Sequence, residues 1–177
     1  MKKLRSRIRE ALAKLRFSVH INPPEGVYDQ DGIWTLHNHD FMQDPKFCKA
    51  YKHGAQHVDY KIQWRAYIAV WCAQRALERE GDFVECGVNF GNLSVTIMDY
   101  LDWNQLDRNF YLLDAFGNFS GHDSKNDMEE RLSVGQYIPN LQIAQKTFSE
   151  WERVNVIQGL VPGTLTRVET KKIAYQG

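Results

Sequence analysis

One glycine-containing stretch, residues 81–94, has the order of residue types that builds a ligand pocket. An apolar run from Phe83 to Val88 predicts a strand, and a helix is expected to begin near Asn92. Gly87 and Gly91 lie in the turn between them. A helix N-terminus behind such a turn presents backbone N–H groups and the positive end of a helix dipole. The stretch therefore predicts a binding site for a nucleotide-like ligand at the end of a strand.

An acidic residue, Asp114, lies near the end of the next apolar run, which extends from Asn109 to Phe116. It follows Gly91 by 23 residues. In strand–helix–strand nucleotide folds, an acid at the end of the second strand accepts hydrogen bonds from ribose hydroxyls. The spacing predicts that contact for Asp114. The alternative is a carboxylate that only caps the next helix.

The glycine spacing argues against a dinucleotide. The dinucleotide fingerprint is Gly-x-Gly-x-x-Gly, whereas Gly87 and Gly91 are separated by three residues and preceded by Glu85 inside the strand. An acid at that place suits a cationic or zwitterionic group. S-adenosylmethionine carries a sulfonium and an ammonium in its amino-acid half, and it has no phosphate that needs a glycine cradle. Two tight turns are the alternative explanation of the glycines.

The elements that position these residues predict an α/β fold, a Rossmann-like parallel sheet with flanking helices. Apolar residues repeat at helical spacing between Asp59 and Glu80, and this helix is expected to end at Gly81. A second helix is expected over 92–101, and further strands over 153–158 and from residue 172. Strands that alternate with helices or loops indicate parallel pairing through right-handed crossovers.

Composition limits the function classes. Lys plus Arg and Asp plus Glu number 22 each, so no net charge favours a nucleic-acid partner. The three cysteines have no Cys-x-x-Cys spacing and cannot all pair, which indicates a reducing compartment and predicts a cytoplasmic protein. No apolar run has the length of a membrane span, and no signal peptide is recognisable.

Residues 1–17 predict a basic amphipathic helix. Its apolar residues fall on one face, and basic residues surround the rest: Leu4, Ile8, Ala11, Leu12 and Leu15 form the apolar face. Two interpretations stay open, a peripheral contact with an anionic membrane surface or a partner, and an ordinary helix with a solvated charged face.

Histidines raise the question of a metal site in the next segment. His37, His39 and Asp40 resemble a ligand cluster, because imidazoles two residues apart can converge from an extended strand. The alternative is a polar loop in which Asp40 caps the following turn. His53 and His57 form a weaker pair because Gly54 lies between them.

Three motifs together resemble the macrocin O-methyltransferase family of class I S-adenosylmethionine-dependent methyltransferases. They are Gly-Asp-Phe-Val-Glu-Cys-Gly-Val at 81–88 with Gly91 and Ser94, Phe-Tyr-Leu-Leu-Asp-Ala-Phe at 110–116, and Val-Ile-Gln-Gly-Leu-Val-Pro-Gly-Thr-Leu at 156–165. The similarity covers the chain from about residue 60 onward. It implies cofactor-binding roles for seven residues: Glu85, Gly87 and Gly91 around the methionine part, Asp114 at the ribose hydroxyls, Phe116 beside the adenine, and Gln158 with Gly159 near the adenine edge.

The resemblance also implies parts that are not recognisable here. A class I methyltransferase has seven strands, and this sequence accounts for about four before it stops. The family's ligands for a divalent metal such as Mg²⁺ and its catalytic base are expected beyond that point. The resemblance thus implies an O-methyltransferase acting on a hydroxyl of a sugar or sugar-bearing natural product, and it leaves open whether this chain is active or an inactive fragment. The alternative is a non-catalytic remnant or a nucleotide-binding module.

Three segments follow from these interpretations: the basic helix at 1–17, an irregular segment at 18–58, and a partial S-adenosylmethionine-binding domain at 59–177. The expected partner is a small-molecule hydroxyl acceptor. A homo-oligomer stays open.

Overall fold

The computed structural model describes residues 28–30, 33–35, 38–57, 59–117 and 141–177. The chain divides into two compact units, Met1–Asp40 and Phe41–Gly177. In the first unit, the short strands β1 (Tyr28–Gln30) and β2 (Ile33–Thr35) pair antiparallel.

The second unit alternates helices and strands, as the sequence predicts. Its helices are α1 (Pro45–Gly54), α2 (Gln63–Ala76), α3 (Asn92–Tyr100) and α4 (Leu141–Phe148). Its strands are β3 (Asp82–Cys86), β4 (Phe110–Asp114), β5 (Val154–Gln158) and β6 (Ile173–Gln176). Short 3-10 helices occur at Asp40–Gln43, Trp103–Gln105 and Gly163–Arg167.

The four strands β3 to β6 form one parallel sheet in the order β5-β4-β3-β6. The chain moves outward from β3 through β4 to β5 and then returns to the other side of β3. Strand order therefore reverses between β3 and β6, and such a switch point is where open α/β sheets bind ligands, at the carboxyl ends of the strands. The predicted Rossmann-like parallel sheet with flanking helices is confirmed.

The main core lies between one face of the sheet and the helices. Phe83 and Phe110 point into it, and Trp103 packs on both rings at centroid distances of 5.1 and 5.3 Å. Further buried residues come from α2, α3 and α4, among them Val70, Ala73, Ile97, Met98 and Phe148. This packing fixes the start of α3 against the end of β3.

A smaller cluster covers the other face of the sheet. It contains Val84, Tyr111, Leu113 and Ile157, and Val168 from the β5–β6 connection packs against it. The hydroxyl of Tyr111 donates to a backbone carbonyl of the same connection, that of residue 169, at 2.7 Å. The connection between β5 and β6 thus closes the second face beside the strand ends.

Helix α1 lies in a segment that the sequence predicted to be irregular, and there the prediction was wrong. Asp44 caps the helix by accepting the N–H of Lys46 at 2.9 Å, and Pro45 occupies the first helical position. Helix α1 packs against α3, where Gly54 lies so close that a Cβ would contact the carbonyl of Asn92. Small residues on the buried face of α1 contribute little to the hydrophobic periodicity from which a helix is predicted.

Helix α2 is shorter than predicted, because it ends at Ala76 and not at Gly81. Gly81 instead has a φ of 130°, and a Cβ there would lie 2.7 Å from the carbonyl oxygen of Lys172. The glycine therefore lets the chain pass close to the start of β6 rather than ending a helix.

The basic helix predicted at 1–17 falls outside the described residues. The thiols of Cys48, Cys72 and Cys86 are free. Within the described ranges, no helix combines the length and apolar character that crossing a membrane requires.

Candidate functional site

The site lies where β3 and β4 end side by side. The N–H of Gly87 donates to the carbonyl of Leu113 at 2.8 Å, which extends the pairing of β3 and β4 by one residue. Gly87 has a φ of 87°, and a Cβ built on it would meet no atom within 4 Å. The backbone therefore leaves open space at the switch point, beside the last residues of β3.

Gly91 starts α3 and has a different environment. It has a φ of 84°, and a Cβ there would lie 2.5 Å from the ring of Phe148 in α4. As the N-cap residue it supplies no capping side chain. The start of α3 thus packs closely on α4, and the first N–H groups of a helix have no partner within the helix itself.

Glu85 is a buried acid inside β3. It is 5% exposed, and the hydroxyl of Ser94 in α3 donates to its Oε2 at 2.5 Å. Burial raises the pKa of Glu85 from its ordinary value of 4.5 to about 7, Ser94 lowers it, and the charge of Asp114 raises it further. The arrangement disfavours an ionised Glu85 unless a positive charge is nearby.

Asp114 connects the end of β4 to the glycine turn. Its Oδ2 accepts the backbone N–H of Asn89 at 2.8 Å, and its Oδ1 accepts the N–H of Phe116 at 2.8 Å. The second bond closes a local turn at the end of β4. Each carboxylate oxygen retains capacity for one more hydrogen bond. Asp114 can therefore hold the turn and also accept from a ligand hydroxyl.

The residues expected at an adenine lie around the ends of β4 and β5. The N–H of Gly159 donates to the carbonyl of Asp114 at 2.9 Å. The side-chain amide of Gln158 donates to the carbonyl of Ala115 at 3.3 Å. Phe116 is 2% exposed and its ring belongs to the main core. The structure brings these residues to the same edge as Asp114, and their contacts with adenine stay a prediction.

Three residues at this edge had no role assigned from the sequence. Ser94 contacts Glu85, and Asn89 contacts Asp114 through its backbone. The side-chain amide of Asn89 donates to the hydroxyl of Tyr60 at 3.4 Å. Asn89 has a φ of 54°, a conformation that asparagine tolerates better than most residues. In the sequence, an asparagine between two glycines indicates a residue in this conformation.

The histidines do not gather into a metal site in the part of the chain that is described. No group of three His, Cys, Asp or Glu residues there could hold a metal ion, and His37 lies outside that part. His53 instead faces two carboxylates, with Nδ1 3.1 Å from Asp99 and Nε2 3.1 Å from Glu150. His57 bonds to Thr147 at 2.9 Å. In place of the two-histidine site considered from sequence, His53 and His57 make separate contacts with different residues.

Comparison with known proteins finds a solved structure that is similar to this chain. No protein-family model matches the sequence, and no curated protein matches it. Among solved structures, the chain is similar to the structure of the O-methyltransferase NovP, with a TM-score of 0.50 and 18% sequence identity. The match covers 72% of this chain and 60% of that one, so the chain spans less than two thirds of the NovP structure. The parallel sheet and its helices therefore have an α/β fold similar to that of the NovP structure.

Proposed function

We propose that this chain binds S-adenosylmethionine at the carboxyl ends of β3 and β4 and serves an O-methyltransferase reaction. The observation that carries the proposal is the pair of carboxylates, Glu85 and Asp114, on the adjacent strands β3 and β4. Among the described residues, neither carboxylate forms an ion pair with a basic side chain. A ligand with both a cationic group and ribose hydroxyls complements this pair.

The residues fit the two halves of such a ligand. Asp114 has one acceptor position left on each oxygen, which suits two neighbouring ribose hydroxyls. Glu85 is buried, and no basic side chain in the described ranges forms an ion pair with it, which suits the charged methionine half. The space beside Gly87 gives the ligand access to the strand ends. The similarity in fold to the structure of the O-methyltransferase NovP supports the same assignment.

The bound cofactor would supply a methyl group that its sulfonium activates for transfer. The residues of this chain bind and orient it, since a displacement in line needs the acceptor oxygen, carbon and sulfur aligned. We propose a hydroxyl of a sugar or sugar-bearing natural product as the acceptor, on the basis of the three motifs that resemble the macrocin O-methyltransferase family. The described residues offer no ligand set for Mg²⁺, so the proposal assigns no role to a metal.

Calorimetry with S-adenosylmethionine tests the binding site. Asp114→Asn removes the negative charge and one acceptor, and we expect it to weaken binding by about tenfold or more, the loss of about 1.5 to 3 kcal/mol for hydrogen bonds to a charged group. Asp107→Asn is the matched control, because Asp107 precedes the other end of the same strand and its side chain is 99% exposed. Equal binding by both variants would contradict the assignment of Asp114.

Transfer of a labelled methyl group tests the reaction. Incubation with labelled S-adenosylmethionine and a panel of sugar acceptors is expected to label a hydroxyl oxygen, and labelling by Asp114→Asn should be lower at cofactor concentrations near the Kd of the wild type. Binding of the cofactor without transfer to any acceptor would favour the non-catalytic binding module instead.

A further inference from the structure

We propose that the Glu85 carboxyl couples binding of the ligand's cationic group to the release of a proton. It holds the proton when the site is empty and releases it to solvent when the cationic methionine half binds. Ser94 is the positioning residue that fixes this carboxyl. The inference rests on the proposed S-adenosylmethionine site and adds to it a coupling between cofactor binding and pH.

The first support is the geometry of the pair. Glu85 is in β3 and Ser94 is in the first turn of α3, and the two side chains are joined by a hydrogen bond of 2.5 Å. Both side chains are buried, and Ser94 is completely so. The carboxyl is therefore held in one place at the strand end, with little water to stabilise a negative charge.

The second support is the sign of the surrounding groups. Asp114 faces Glu85 from β4, Tyr175 from β6, and Cys86 is the next residue in β3. All of them are neutral or negative. Burial raises the pKa of both the Tyr175 hydroxyl and the Cys86 thiol, and the charge of Glu85 raises both further. In the described part of the chain, no Lys, Arg or His forms an ion pair with Glu85. The empty site thus favours the protonated carboxyl at pH values below about 7.

A bound cation reverses this preference. An opposite charge within a few ångströms favours the ionised carboxylate and lowers its pKa. The proton then leaves the Glu85 carboxyl and passes to the buffer, with no change in covalent bonds elsewhere. By linkage, affinity for the cation increases with pH up to the pKa of the empty site, about 7, and is constant above it. Below that value affinity is expected to fall by up to about tenfold per pH unit.

Titration calorimetry of the full chain with S-adenosylmethionine measures the coupling directly. We would measure binding at about pH 6 and about pH 8, each in two buffers with different ionisation enthalpies, since the difference in heat counts the protons released. We expect proton release at the acidic pH and little at the alkaline pH. Glu85→Gln should bind without proton release and with affinity that hardly depends on pH. Glu80→Gln, an exposed acid paired with Lys172, is the matched control and should behave like the wild type.

Ser94→Ala keeps the test decisive if Glu85→Gln does not fold. Since the Ser94 hydroxyl lowers the pKa of Glu85, its removal should move the midpoint of the affinity profile to higher pH and leave the alkaline plateau within a few-fold of wild type. A purely structural serine would lower affinity equally at every pH. Binding with no proton release, or with the same release in Glu85→Gln, overturns the inference alone. Absence of binding at every pH overturns the proposed function as well.

Discussion

The backbone N–H of Asn89 donates to Oδ2 of Asp114 at 2.8 Å and so joins the glycine turn after β3 to the end of β4. One carboxylate therefore has two tasks, because it holds the turn in place and offers its remaining acceptor positions to a ligand. The turn and the ribose contact are expected to form together. A substitution that changes the backbone conformation of Asn89 should therefore change the affinity for the ligand.

Substitution of Asn89 tests this link. Asn89 has a φ of 54°, so Asn89→Val should cost about 1 to 2 kcal/mol of unfolding free energy, because a β-branched side chain is strained in the left-handed conformation that asparagine tolerates. Asn89→Gly keeps the conformation and the N–H, and it should retain cofactor affinity within a few-fold. Urea denaturation and calorimetry on both variants check the prediction. Equal affinity of the two would show that the turn does not control the ligand contact.

The two glycines of the turn should differ in their response to alanine. Gly87→Ala introduces a Cβ into open space, so only the backbone penalty of about 1 to 2 kcal/mol applies. Gly91→Ala places a Cβ 2.5 Å from the ring of Phe148 and adds overpacking of typically about 1 to 3 kcal/mol. Chemical denaturation should therefore rank Gly91→Ala as the less stable variant.

Affinity for S-adenosylmethionine should rank the two variants, Gly87→Ala and Gly91→Ala, in the opposite order. The Cβ of Gly87→Ala occupies space next to the strand ends, and we expect it to weaken S-adenosylmethionine binding more than its small effect on stability suggests. If Gly87→Ala bound the cofactor as the wild type does, the open space beside Gly87 would not be part of the site.

The sequence predicted the sheet because its strands are short apolar runs that end in glycine or acid, as at Phe83–Val88 and near Asp114. It did not predict α1, since the buried face of that helix includes Ala50 and Gly54, whose small side chains carry little hydrophobic signal. The bond between Ser94 and Glu85 joins residues nine apart across a strand–turn–helix unit. Only the angle between β3 and α3 decides that contact, and the angle is set by core packing rather than by local sequence.

Helix α1 should be needed for a stable site because it packs on α3. Gly54→Ala would place a Cβ against the carbonyl of Asn92 and the hydroxyl of Thr96, with no flexible side chain to move aside at the carbonyl. We expect a loss of about 1 to 3 kcal/mol in unfolding free energy. Lys52→Ala on the same helix is the control, since Lys52 is exposed. Similar stability of the two variants would mean that α1 is not tightly packed on α3.

The stability of the empty protein should depend on pH through Glu85. Its pKa is about 7 in the folded chain and close to 4.5 when unfolded, so the folded state binds more protons between these values. The contribution of Glu85 to the free energy of unfolding is therefore fully present below about pH 4.5 and is lost as pH rises through about 7. The total loss is on the order of 3 kcal/mol, since each unit of pKa shift corresponds to about 1.4 kcal/mol.

Glu85→Gln removes the titrating group and should remove this loss. Urea denaturation at about pH 5 and about pH 8 should show the variant gaining on the wild type as pH rises, with most of the difference present at the alkaline value. The exposed acid variant Glu80→Gln should follow the wild type at both values, which separates the effect of burial from that of net charge. A constant difference between Glu85→Gln and wild type across this range would mean that Glu85 is ionised in the empty protein, and the buried carboxyl would then need a cation that compensates it.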